Sequence, residues 1–196
     1  MSESSEAKPQ AAGEGEVGFF AEPGLGGWAG LVRGGGRVWT GHQPYLWHAG
    51  VLAKSLTADA VVGGEGGDGF CDLLVDHDTH DAGVIELPMR AGDRWGVRAV
   101  RLGRCRADVP LGMQPAMGVD GAIEVLAGAR GWAEDAGAEV GRLIEALDGA
   151  GRGHGDLAGQ LAAVTGAMRG RWVRGEVTAV RSTGLWGGAH GQTPRA

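Results

Sequence analysis

"RVWTGHQPYLWHAGVLAK", residues 37–54, decides how the chain is read. Arg37 to Thr40 is a short run of β-forming residues, and the stretch behind it packs His42, Gln43, Pro44 and His48 between Gly41 and Gly50. From there Val51, Leu52, Ser55, Leu56 and Ala60 keep near-helical spacing, which predicts a helix beginning at His48 or Ala49. A glycine-rich gap, "GGEGGDG" (63–69), separates that helix from "FCDLLV" (70–75), an apolar run that reads as a strand buried on both faces. Strand, helix and strand in this order make a βαβ unit, whose crossover is right-handed and whose two strands are parallel.

Working outward, "GVIELPM" and "RWGVRAVRL" flank the turn "RAGD" and predict a β-hairpin. Trp95, Val97 and Ala99 alternate along its half-exposed second strand, and Pro88 belongs on an edge. From about Val119 the pattern turns helical: "AIEVLAGARGWAEDAGAEVGRLIEAL" and "DLAGQLAAVTGAM" repeat apolar residues every three or four positions. Asp156 is the expected N-cap of the second helical stretch, and "GAGRGHG" (149–155) the linker between the two. The stretch "GEVTAVRSTGLWGGAHGQTPRA" (175–196) reads as one short strand and a loose end, with no element that closes a domain. Residues 1–16 contain no large apolar side chain beyond Met1 and read as a disordered tail. Residues 17–36, ending in "GGG", read as an irregular segment on the edge of the domain. The expected organisation is therefore a tail (1–16), an α/β core (17–110) and a helical region (111–196), the last incomplete.

Composition narrows the function classes. The 196 residues suffice for one sizeable core, and 43% are apolar, but 40 glycines weaken every helix expectation, because a mid-helix Gly costs about 1 kcal/mol against Ala. A formal charge of −6 gives no field that gathers nucleic acid or an anionic membrane, so a small molecule is the expected partner, with self-association compatible. Two cysteines, Cys71 and Cys105, do not make a disulfide framework and fit a reducing cytoplasm. There is neither a run of about 18 apolar residues nor a basic-then-apolar start, which argues against a membrane span or a signal peptide.

Two stretches carry the chemistry. Ligands of open α/β sheets bind beyond the carboxyl ends of parallel strands, where helix N-termini present free N–H groups to anions. The first strand end offers Gly41 for a tight turn, Pro44 to fix its path, hydrogen-bonding groups on His42, Gln43 and His48, and open N–H groups at Ala49 and Gly50. The second is "VDHDTHD", where Asp76, His77, Asp78, His80 and Asp81 follow a buried strand with no spacer, an arrangement expensive to desolvate unless it binds something or lies in water. The plain readings are a capped helix for the first and a solvated loop for the second. Asp76, Asp78 and His80 are also acceptable ligands for a divalent metal.

Taken together, "VWTGHQPYLWHAGVLAKSLTA" and "CDLLVDHDTHD" resemble the bacillithiol synthase family, cysteine-adding enzymes in which a first strand runs into a T-G-Q-Q-P-G-L turn and a later strand ends in E-D-H-D. Thr40, Gly41, Gln43, Pro44, Leu46, Gly50, Leu52 and Lys54 match the first motif, and Asp76, His77 and Asp78 the second. The resemblance covers residues 37–90. His42 and Tyr45 depart from it, His48 has no counterpart, and Val75 stands where an acid is expected. The family's long helical arm has no room here, which points to a short, divergent relative. "HAGV" also resembles the H-x-G-H signature of nucleotidyltransferases with Val51 in place of the last His, and Gln43, Pro44 and Gly50 occur in the Q-P-x-Y-x-P-W-x-G opening of bacterial sugar-biosynthesis proteins, which does not account for "DHD".

The resemblance implies a Rossmann-like, nucleotidyltransferase-like parallel sheet, with a hairpin and C-terminal helices added, and a ligase or transferase that couples cysteine to a glucosamine-malate amine. On that reading Thr40, Gly41, His42, Gln43, His48, Gly50 and Lys54 bind a nucleotide or a substrate carboxylate. Asp76, His77 and Asp78 act on it, His77 as proton carrier, because histidine changes charge near neutral pH. The alternatives are a metal-dependent hydrolase using Asp76, Asp78, His80 and His42, and a catalytically inactive domain that binds a partner chain. A nucleotide is the cofactor candidate, and a divalent metal its alternative.

Overall fold

The computed structural model describes residues 18–19, 32–34, 37–46, 48–67, 69–130 and 137–187. The expected tail at 1–16 lies outside them.

The core of the fold is the βαβ unit. Strand β3 (Arg37–His42) continues two residues past the expected end at Thr40, helix α1 (Ala49–Gly64) follows, and β4 (Gly69–Leu74) pairs parallel to β3, with Val38 opposite Phe70 and His42 opposite Leu74. Alternation puts Val38, Thr40 and His42 on the buried side of β3. Val51, Ser55, Ala58 and Val62, three or four positions apart, form the buried stripe of α1. Val38, Ala58, Val62, Phe70 and Val173 close a small apolar cluster between them. Helix α1 ends where Gly66 takes φ 74°, a left-handed conformation that ends a helix at little cost only for glycine.

In the segment expected to be irregular, β1 (Gly18–Phe19) and β2 (Val32–Gly34) extend the sheet antiparallel on the β3 side. At the other side stands β7 (Glu176–Arg181), parallel to β4 along its whole length. This corrects the expectation of a loose end with no closing element: the short strand near the C-terminus completes a three-stranded parallel sheet within the order β1-β2-β3-β4-β7. The sheet thus draws on chain from both sides of residue 110. A short helix α5 (Ser182–Gly187) follows it directly.

Between β4 and β7 come the expected hairpin and helices. Strands β5 (Val84–Ala91) and β6 (Arg94–Arg101) pair antiparallel across a two-residue turn, with Gly92 at φ 61°. Ile85, Leu87 and Val100 face inward, whereas Trp95 and Val97 are 62% and 65% exposed. Helices α2 (Val119–Arg130), α3 (Gly137–Ala150) and α4 (Leu157–Arg169) pack with the hairpin and Leu46 around the larger core, where Leu111, Leu126, Leu147, Leu157 and Leu161 are fully buried. Asp156 caps α4 as expected, accepting from Gly159 N at 2.8 Å. The described chain is thus a mixed α/β fold: a parallel three-stranded centre, a small separate hairpin, and helices. Among the described residues no helix is long and apolar enough to cross a membrane, and Cys71 and Cys105 are free thiols.

Candidate functional site

The register of the parallel strands brings the two polar turns side by side. His42, Leu74 and Arg181 are level across β3, β4 and β7, and Val75 N donates to His42 O at 3.0 Å just beyond the paired strands. The residues that follow each strand therefore meet at one edge of the sheet. Asp78 and Gln43 bridge the turns, and the Thr79 N–H at 2.8 Å, together with the Gln43 side chain, holds the Asp78 carboxyl below its usual value.

At the first turn one of the two N–H groups expected to be open, that of Gly50, is closed. His48 is the N-cap of α1, its Nδ1 accepting from Gly50 N at 3.1 Å, and its carbonyl accepts from Val51 N and Leu52 N. Gly41 lies inside β3 rather than in the turn. Lys54 turns back along the helix and donates from Nζ to Gly41 O at 2.9 Å, so it braces the strand end. The turn is held from below as well, where Thr165 Oγ1 on α4 donates to Tyr45 O at 2.8 Å. The Tyr45 ring lies between His48 and His80, 5.6 and 4.4 Å away by ring centroids. Burial pushes the His80 pKa down against the opposing pull of Asp78, the Pro44 carbonyl and Asp81.

His42 lies on the buried side of β3. Its Nδ1 lies 2.6 Å from Gln43 O, and its Nε2 3.1–3.2 Å from the two oxygens of Asp72, a residue of β4 that is itself fully buried. Arg169, in the last turn of α4, pairs with the same carboxylate and donates to Ser55 Oγ at 3.2 Å. Desolvation by burial would raise the Asp72 pKa, but His42 and Arg169 together pull it below its ordinary value. Thr40 Oγ1, on the residue level with Asp72, is buried without a partner.

At the second turn Asp76 is a saturated anchor. Its fully buried carboxylate accepts from Ser182 Oγ (2.8 Å), Thr183 N (2.9 Å), Thr183 Oγ1 (2.5 Å) and Arg181 Nε (2.7 Å). Burial alone would raise its pKa, yet the donors of Thr183, Arg181 and Ser182 hold it down at about 2. Arg181 also reaches Asp156, which ties this anchor to the start of α4. Ser182 passes the interaction on: with its proton given to Asp76, its Oγ accepts from Asp76 N (3.3 Å) and from His77 Nδ1 (2.8 Å). His77 is thereby fixed as the Nδ1–H tautomer on an otherwise exposed ring, and its Nε2 is the acceptor. Asp81 pairs with Arg101 at 2.7 Å on the surface.

The structure thus brings His77, Asp78 and Gln43 to one open edge, with Asp76 behind them. It sets His42 and Thr40 on the buried side of β3, and it uses His48, Gly50 and Lys54 to hold the local backbone. Among the described residues no group of three or more His, Cys, Asp or Glu is arranged to hold a metal ion, so Asp76, Asp78 and His80 do not assemble as ligands. Sequence reasoning missed Asp72, Arg169, Ser182 and Thr183. The available signals were a carboxylate in the middle of an apolar strand and an arginine directly after Met168 on an apolar helix.

None of the protein families, curated proteins or solved structures compared with this chain matches it.

Proposed function

We propose that the chain is a ligase- or transferase-type α/β domain with a Rossmann-like, nucleotidyltransferase-like core, of the bacillithiol-synthase kind. It takes a small carboxylate-bearing substrate where β3, β4 and β7 end. The observation that carries this reading is the Asp76–Ser182–His77 chain: two 2.8 Å hydrogen bonds orient an exposed imidazole whose remaining nitrogen is free to take or give a proton at that edge. Asp76 orients through Ser182 and does not itself exchange protons near neutral pH, since its pKa lies at about 2. A nucleotide fits less well than a carboxylate. The N–H groups of Gly50, Val51 and Leu52, which would cradle a phosphate, are already taken by His48.

The test is a search by mass spectrometry for the condensation product of cysteine with a glucosamine-malate amine, using the protein and its His77→Gln variant. Product with the native chain, lost in a folded His77→Gln, supports the reading; equal turnover by both overturns the role of His77, and no product from either overturns the ligase assignment.

A second reading, a domain that binds a partner chain, is favoured by the exposure of Trp95 and Val97 on β6. Light scattering that shows a monomer, with no binding of an apolar dye, removes it.

A further inference from the structure

Along β6, Arg94 through Ala99 are exposed without a break, and Trp95 and Val97 remain 62% and 65% exposed. Among the described residues the strand pairs with β5 alone, so its far edge is open. A bare strand edge is a template for another strand. The outer edge of β5 is blunted by Pro88, which has no N–H to donate, whereas β6 contains no proline.

Pro88 also marks which backbone groups are open. It stands level with Val97, so that pair belongs to the non-hydrogen-bonded set of the hairpin, and the N–H and C=O of Val97 point away from β5. Alternation gives Trp95 and Ala99 the same outward-pointing groups. Their side chains share one face with Pro88, and Arg90 lies over the Trp95 ring, 6.0 Å from its centroid. The open hydrogen-bonding groups and the exposed apolar side chains thus belong to the same residues.

We infer that β6 pairs antiparallel with β6 of a second copy of this chain, about a two-fold axis at Val97, joining the two hairpins into one continuous sheet. The strand matches itself in that register. Val97 meets Val97, Trp95 of each copy stands level with Ala99 of the other, a large side chain beside a small one, and Arg94 and Arg98 face Val100 and Gly96. The acid of the turn, Asp93, comes level with Arg101, whose planar fork of N–H donors also serves Asp81. Charge selects this register. With the axis at Gly96, Arg94 would stand opposite Arg98, and with the axis at Arg98 the two Arg98 side chains would meet, like charges directly opposed. The inference is independent of the ligase reading and takes the second reading above to one occupant.

Sedimentation of the full chain over a range of concentrations tests the pairing, for the native protein and for Val97→Lys and Val97→Glu. Both substitutions fall on an exposed side chain, and each sets two like charges together on the axis. A native dimer is expected, with association at least about tenfold weaker in either variant alone. An equimolar mixture of the two variants should recover at least the native association, because opposite charges then meet on the axis. Amide exchange gives a reading that needs no variant: the N–H groups of Trp95, Val97 and Ala99 should gain protection as the concentration rises, while that of Gly96, already turned towards Met89, should not. A native chain that stays monomeric up to about 1 mM, variants that dimerise as the native chain does, or a mixture no stronger than its components overturns the inference. A monomer that still binds an apolar dye or an acidic peptide overturns the pairing and leaves the second reading standing, and a monomer that binds a single-stranded oligonucleotide overturns it in favour of nucleic acid.

Discussion

Arg169 and Asp72, 97 residues apart in the chain, share one buried ion pair. Through Nη1 the guanidinium at the end of α4 holds the carboxylate of β4 and also donates to Ser55 of α1, so a single side chain joins α4 to the sheet and to α1. Forming such a pair gains little net energy over an apolar contact, but breaking it strands a charge in the interior.

Removing either partner is therefore costly. Arg169→Met and Asp72→Asn are each expected to destabilise the chain by about 3–5 kcal/mol, and the double variant by clearly less than the sum, because it leaves no orphaned charge. Urea unfolding of the three variants checks this, and strict additivity would contradict the coupling.

Asp76 makes stability depend on acid. Its carboxyl titrates at about 2 in the folded chain against 3.8 ordinarily, so its contribution is fully present above about pH 4 and is lost as the pH falls through about 2. The shift corresponds to about 2 kcal/mol. Unfolding free energies measured between pH 5 and pH 2 should fall less steeply in Asp76→Asn than in the native chain.

Gly69 stands opposite Glu176 in the β4–β7 pair. A Cβ there would lie 2.1 Å from Glu176 O and 2.8 Å from its carbonyl carbon, and neither backbone atom can move without opening the pairing. Gly69→Ala should cost about 1–3 kcal/mol and speed hydrogen exchange along residues 176–181. Gly128→Ala, in α2 with nothing within 4 Å, should instead stabilise by about 0.5–1 kcal/mol.

Ser182 sets the tautomer of His77. Nitrogen NMR of the native chain should show the Nδ1–H form, and Ser182→Ala should mix the two tautomers. An unchanged tautomer in Ser182→Ala would remove the orienting role.

What the sequence made legible was local. The strand–turn–helix at residues 37–64, the strand at 70–74, the hairpin and the Asp156 cap all rest on contacts between residues close in the chain, where periodicity and capping chemistry are visible. His48 as a cap was open to either reading, and the bland one describes its contacts. The partners of the polar residues were not legible, because parallel pairing and buried charge depend on chain far away. "GEVTAVR" carries a strand signal but nothing that names β4 as its neighbour, and Arg169 in the last turn of a helix looks like an ordinary solvated cation until the fold puts Asp72 beneath it. Asp76 was expected to be reactive because unpaired burial is expensive. The donors that relieve it come from residues 181–183, more than 100 positions later.

That separation has a consequence for how the chain comes to be folded. Strand β4 is synthesised long before its β7 neighbour, and Asp72 and Asp76 wait for Arg169, Arg181, Ser182 and Thr183. A growing chain on the ribosome therefore carries an unpaired strand edge and two carboxylates without their counter-groups, and both oppose early closure of the sheet. Pulse-labelled hydrogen exchange during refolding should find β4 and β7 protected together and after the helices α2 and α3. On that order the centre of the sheet sets after the helices, and the growing chain is open to mispairing along β4 until β7 arrives.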